Sequence, residues 1–118
     1  MFFKIYTHTV KYLNNTNSIN NLSIFVKNIT MKPKLTIYDN CNKSWELPNG
    51  KLHREDGPAY EGIDGNKFWY INDELHREDG PAIEYISGNK RWFLNDIQYT
   101  ENEYKCEMRS RKLKKILH

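Results

Sequence analysis

Apolar and polar positions alternate in short runs between residues 34 and 99, the period of strands rather than helices. Trp45/Leu47, Trp69/Ile71 and Trp92/Leu94 each place a tryptophan and an aliphatic residue two apart, on one face of an extended chain. Glu46, Tyr70 and Phe93 lie between them and make a half-polar second face. A second strand is predicted through residues 59–63 and again through 82–86, with residues 35–38 as the earlier counterpart. Asp64-Gly65 and Ser87-Gly88 read as the strand connections, Asp-Gly being a two-residue hairpin signal. Gly57-Pro58 and Gly80-Pro81 punctuate the other end, where proline's missing donor costs no ladder bond. From Thr100 the pattern changes. Thr100-Glu101-Asn102-Glu103 has capping-box form, and no Gly or Pro follows, which predicts a helix over about residues 101–116. Tyr104, Met108 and Lys115 share one face of it, with Leu113 and Ile116 nearby, so the helix is expected to cover the last sheet edge.

The strands belong to an internal repeat. Leu52-His53-Arg54-Glu55-Asp56-Gly57-Pro58-Ala59 recurs as Leu75-His76-Arg77-Glu78-Asp79-Gly80-Pro81-Ala82, eight identical residues at a period of 23. The same offset relates Gly65-Asn66-Lys67 to Gly88-Asn89-Lys90 and Trp69 to Trp92. Tyr38, Asn42, Lys43 and Trp45 match Tyr85, Asn89, Lys90 and Trp92 at an offset of 47, two periods plus one residue inserted near Pro48-Asn49-Gly50-Lys51. A further copy begins at Trp92, but Tyr99 and Thr100 stand where His and Arg would recur. Two full repeats are thus flanked by two partial ones. The expected fold is mainly β, an antiparallel meander of hairpin repeats over residues 34–99 with a row of Trp along one side. The basic helix occupies 100–118. Residues 1–33 form an N-terminal segment in which Phe3/Ile5 and Leu22/Ile24/Val26 suggest an extra hairpin around the Asn-rich loop 14–21.

Composition narrows the class. The chain has 118 residues, one domain's worth, and 14% of them are aromatic, more than a disordered segment carries. No apolar run reaches the ~20 residues of a membrane span, and residues 1–13 lack a secretory signal's apolar stretch and cleavage site. Cys41 and Cys106 make neither a disulfide framework nor a zinc site and read as reduced thiols. An intracellular protein is expected, neither secreted nor transmembrane. Net charge is +3, but it is segregated: six Lys against one Asp in residues 1–44, six Lys/Arg against thirteen Asp/Glu in 45–104, and six against one Glu in 105–118.

The 23-residue hairpin with Asn49-Gly50-Lys51 before His53, and Asp-Gly before the next aromatic strand, resembles the MORN repeat. The His-Arg-Glu-Asp-Gly-Pro-Ala core more closely resembles a MORN-like variant found in giant DNA viruses of mimivirus type and in tailed phages. A viral origin also suits the composition, since Asn, Ile, Lys and Tyr, all read by AT-rich codons, fill 46 positions. The resemblance covers about residues 34–103. It implies a β-sheet scaffold that binds proteins or lipid-bearing partners, with no catalysis in the repeats. Arg54-Glu55-Asp56 and Arg77-Glu78-Asp79 depart from the usual MORN pattern, which is Gly-rich there.

His53, Glu55 and Asp56, duplicated as His76, Glu78 and Asp79, are the constellation that looks catalytic or metal-binding. Exact duplication favours a structural role, because a repeat needs the same contact in each copy whereas an active site needs one asymmetric cluster. Asp56 and Asp79 are expected to accept backbone N–H bonds in the Asp-Gly-Pro turn, Arg54 and Arg77 to pair with carboxylates, and the His rings to pack against Trp. Gly57, Pro58, Gly80 and Pro81 complete the structural set. No phosphate-binding loop, dinucleotide fingerprint, nucleophile elbow or zinc-protease motif occurs. The functional expectation is a non-enzymatic protein-interaction or scaffold module without cofactor, metal or small-molecule substrate. Trp45, Trp69 and Trp92 are expected to be core or stacked-sheet residues, the alternative being an exposed aromatic row that contacts a partner, and Arg109, Arg111, Lys112 and Lys115 are the candidate contacts in the helix. The alternative is an adaptor to nucleic acid or an anionic membrane surface through that helix.

Overall fold

In the computed structural model, residues 32–117 are described, and the expected N-terminal hairpin and Asn-rich loop lie outside them. The chain is mainly β. Among the described residues nine strands, β1 (Lys34–Ile37), β2 (Lys43–Glu46), β3 (Tyr60–Glu61), β4 (Lys67–Phe68), β5 (Tyr70–Ile71), β6 (Glu74–Leu75), β7 (Ile83–Glu84), β8 (Lys90–Leu94) and β9 (Ile97–Tyr99), precede one helix, α1 (Glu101–Leu117). Seven of them form an antiparallel meander in the order β1-β2-β3-β4-β7-β8-β9, while β5 and β6 pair as a separate two-stranded sheet. The strands are short because the repeat spends its residues on turns, and most of the stability of so short a ladder has to come from side-chain contacts between neighbours.

Each tryptophan sits where its strand changes partner. Trp45 N–H donates to Ala59 O and Trp45 O accepts from His53 N–H; Trp69 N–H donates to Ala82 O and its carbonyl accepts from His76 N–H. In β8, Lys90 and Arg91 pair with β7, whereas Trp92, Phe93 and Leu94 pair with β9. Ala59, Ala82 and Leu94 at these crossings are fully buried, and Leu47, Ile83 and Tyr104 nearly so. Around them the tryptophans themselves remain half-buried. On the sheet face that bears the Trp rings, the register sets Lys43 opposite Glu61, Glu61 opposite Lys67, Lys67 opposite Glu84 and Glu84 opposite Lys90. This ladder of alternating sign runs across five strands. The other face carries an aromatic file, Tyr60 edge-on to Phe68 at 5.7 Å and Phe68 to Tyr85 at 6.2 Å between ring centres.

The turns differ from the expected assignment. Between β3 and β4, Gly62 N–H donates to Asn66 O and Gly65 N–H to Gly62 O, which closes a three-residue connection with Gly65 left-handed at φ 91°. Gly88 plays the same part at φ 94°. Asp64-Gly65 is therefore not a two-residue hairpin. Its aspartate instead accepts the N–H of Asn66, two residues on, and the left-handed position demands the glycine. The two-residue turns are Asn72-Asp73 and Asn95-Asp96, all four at φ between 50° and 66°.

The capping box forms as expected: Thr100 Oγ1 accepts from Glu103 N–H at 3.3 Å, and Glu103 Oε2 from Thr100 N–H at 2.8 Å. Those bonds hold the Glu103 carboxyl below its usual range. Helix α1 packs against β8 and β9. Tyr104 docks it more firmly, donating its hydroxyl to Arg77 O at 2.7 Å and accepting from Gly80 N–H at 3.2 Å. The expected apolar stripe ends early. Met108 is half-buried, but Leu113 is 60% and Ile116 79% exposed, because they fall on the side of the helix away from Tyr104.

Candidate functional site

The two copies of His-Arg-Glu-Asp-Gly-Pro-Ala lie in matching surroundings, and each side chain does the same work twice. His53 Nδ1 accepts the N–H of Asn72, and His76 Nδ1 that of Asn95, both at 3.1 Å. An accepting Nδ1 makes each ring the neutral tautomer with its hydrogen on Nε2. Asp73 and Asp96 complete the docking. Asp73 Oδ1 takes Leu52 N–H at 2.7 Å while its own N–H donates to Leu52 O; Asp96 and Leu75 repeat this at 2.6 and 3.0 Å. Each two-residue turn is thereby stitched to the preceding repeat by the same three bonds, and the Asn95 side chain adds a fourth by donating to Glu74 at 3.1 Å. Asn42 and Asn66 stitch elsewhere along the array, their side-chain oxygens accepting Ile63 and Ile86 N–H at 2.8 Å.

The arginines hold the site together. Arg54 Cζ lies 3.9 Å from the Trp45 ring centre, and Arg77 Cζ 3.9 Å from that of Trp69. Arg54 Nε donates to Asp56 at 2.9 Å and Arg77 Nε to Asp79 at 2.8 Å; their Nη1 atoms reach Pro58 O and Pro81 O. Arg77 Nη1 also bonds Glu84 at 2.9 Å. Two expectations are corrected here. It is arginine that covers the tryptophan face, since the planar cation gains from it, while each imidazole is committed through Nδ1 to a turn. The aspartates accept chiefly from arginine rather than from backbone. Gly57 and Gly80 serve close approach, because a β-carbon there would stand 2.9 Å and 3.1 Å from the arginine Cζ. The Arg54 hydrogen bond and charge hold the Asp56 carboxyl below its ordinary range.

Between the two loops lies an open cleft of about 700 Å³, lined by Gly57, Pro58, Trp69, Ile71, His76 and the charged side chains of both copies. Glu55, Asp56 and Asp79 point outward with side chains more than four-fifths exposed, and Glu78 is half exposed. Glu55 Oε1 is 3.7 Å from His53 Nε2, and Glu78 Oε1 3.5 Å from His76 Nε2. Among the described residues no group of three or more His, Cys, Asp or Glu side chains converges as metal ligands would. Of the helical candidates, Arg109, Lys112 and Lys115 are exposed, while Arg111 is engaged by Glu107 at 2.9 Å, which raises its pKa further. They lie on several sides of α1 rather than in one row.

One polar cluster was not anticipated. Glu46 Oε1 accepts from Ser44 Oγ at 2.6 Å and from Tyr38 OH at 2.7 Å, and these bonds lower its pKa. Its signal is the spacing Ser44/Glu46, two apart and hence on one strand face, with Tyr38 across the hairpin. Both hydroxyls point their hydrogens at the carboxylate, an arrangement that fixes the first hairpin.

Compared with protein-family models, with curated proteins and with solved structures, the chain matches none. No helix among the described residues is long and apolar enough to cross a membrane.

Proposed function

We propose that this chain is a non-enzymatic MORN-like interaction module that presents its repeat loops to a partner polypeptide. One observation carries the reading: the side chains that look chemical are spent alike in both copies on holding repeats together. What each copy then offers outward is a pair of exposed carboxylates beside an open cleft. A periodic surface of this kind suits an extended partner that meets equivalent contacts in successive repeats. The test compares the native chain with the double variant Glu55→Lys/Glu78→Lys as bait in extracts of the native source. A polypeptide retained by the first and lost from the second, at equal melting temperature, supports the proposal. Identical retention by both overturns it.

A second reading, an adaptor to nucleic acid or anionic membrane, is favoured by the exposed Arg109, Lys112, Lys114 and Lys115 on one short helix. It requires binding to single-stranded RNA or phosphatidylserine vesicles that collapses between low and physiological salt. Binding through the loop carboxylates would instead be lost on the double substitution.

A further inference from the structure

Three tryptophans recur at one register, and two of them hold a guanidinium from the same chain. One period after Arg77 stands Thr100, whose hydroxyl serves the helix cap. Among the described residues no cation lies over Trp92. Helix α1 replaces the loop here, with Asn102 one period after Asp79, the aspartate that holds Arg77, but an open cleft and carboxylates remain beside the third ring. A cleft of about 400 Å³ is lined by Trp92, Tyr99, Thr100, Glu101 and Glu103, with the cations Lys90 and Arg91 at its side. Glu101 falls one period after Glu78, which lies beside His76 rather than Arg77, and is exposed. Its present partner is Lys105, at 2.8 Å and likewise exposed, and exposed pairs of this kind exchange at little cost. Lys90 is no barrier, because Lys67 occupies the same register beside Trp69, where Arg77 is nevertheless seated.

We infer that Trp92 is a receptor for an arginine side chain of a partner polypeptide, stacked on the indole as Arg54 and Arg77 are on Trp45 and Trp69, with Glu101 from the helix taking the part that Asp56 and Asp79 play there. The inference rests on the interaction-module reading and gives that partner a chemistry. Arginine is favoured over lysine because a planar guanidinium stacks and donates in its plane at once.

The test follows the three indole N–H signals of the full chain by NMR during titration with the peptide Gly-Gly-Arg-Gly-Gly. The Trp92 signal should shift to saturation while those of Trp45 and Trp69 stay in place. Replacing arginine by neutral citrulline should remove the shift, and lysine should bind about tenfold more weakly. Trp92→Leu should abolish binding. Thr100→Arg, which supplies a guanidinium from within while keeping the ring, should suppress the peptide-induced shift. A motionless Trp92 signal, or equal movement of all three, overturns the inference. The wider reading is separable, since loss of a partner on Glu55→Lys/Glu78→Lys would survive failure at Trp92, and a saturable Trp92 shift would survive failure at the loops.

Discussion

His76 accepts the backbone N–H of Asn95 at its Nδ1, 19 residues along the chain, and so ties one repeat to the turn of the next. Because His53 does the same for Asn72, the bond is a structural unit of the array and not a local accident. Removing the acceptor leaves a backbone donor in a tight turn without its partner. The turn is exposed, so water can meet the freed N–H; His76→Ala should therefore cost about 0.5–1.5 kcal/mol, and His76→Asn, which restores an acceptor of similar reach, should recover part of it. Urea unfolding followed by tryptophan fluorescence measures both.

Gly57 is where the arginine approaches the backbone most closely. A methyl group there has to displace a guanidinium pinned by Trp45, Asp56 and Pro58. Gly57→Ala should destabilise by about 1 kcal/mol or more, as overpacking does. In the Arg54→Ala background the same change should cost much less, and this non-additivity identifies the clash.

Tyr104 should fasten the helix to the second repeat. Tyr104→Phe leaves Gly80 N–H and Arg77 O unpaired and is expected to cost about 1–2 kcal/mol, with faster amide exchange at Gly80. Burial raises the folded-state pKa of this phenol above its unfolded value. Its contribution is therefore fully present below the unfolded pKa of about 10 and is lost as pH rises through the higher folded value. Helix docking, read by near-ultraviolet circular dichroism, should loosen in that alkaline window in the native chain. It should not do so in Tyr104→Phe.

Deleting residues 52–74, one full period, joins Lys51 to Leu75 and places every remaining residue in an equivalent position. The shortened chain should fold cooperatively with a lower midpoint, since one set of inter-repeat bonds is gone. Deleting two residues fewer shifts the letters against the stitching positions and should leave no cooperative transition. Thermal denaturation by circular dichroism distinguishes the two.

Much of the architecture was legible beforehand because strand alternation and repeat period are properties of letters. Trp69/Ile71 and Trp92/Leu94 mark strands whatever they touch, and Thr100/Glu103 mark a helix start without any tertiary information. The partners of the repeated octapeptide were not legible, because duplication shows that His53 and His76 share an environment without saying which atoms compose it. Arg54 meets Trp45 across nine residues and a turn, a distance fixed by packing. The turns were misassigned for a related reason. Asp-Gly is a strong local signal, but Asn72-Asp73 and Asn95-Asp96, which also recur at 23 residues, adopt the left-handed pair because their side chains and amides dock on the preceding repeat. Leu113 and Ile116 are exposed because they face away from the side of α1 that Tyr104 docks on the repeats.

The position of Tyr104 bears on how such a chain changes over evolutionary time. Its hydroxyl reads the main chain of whichever loop comes last, through atoms that every 23-residue block supplies. Gene segments encoding further blocks can thus be gained or lost ahead of Thr100 while one closing piece serves arrays of any count. Relatives descended by such events would vary in their number of central units and keep a common ending.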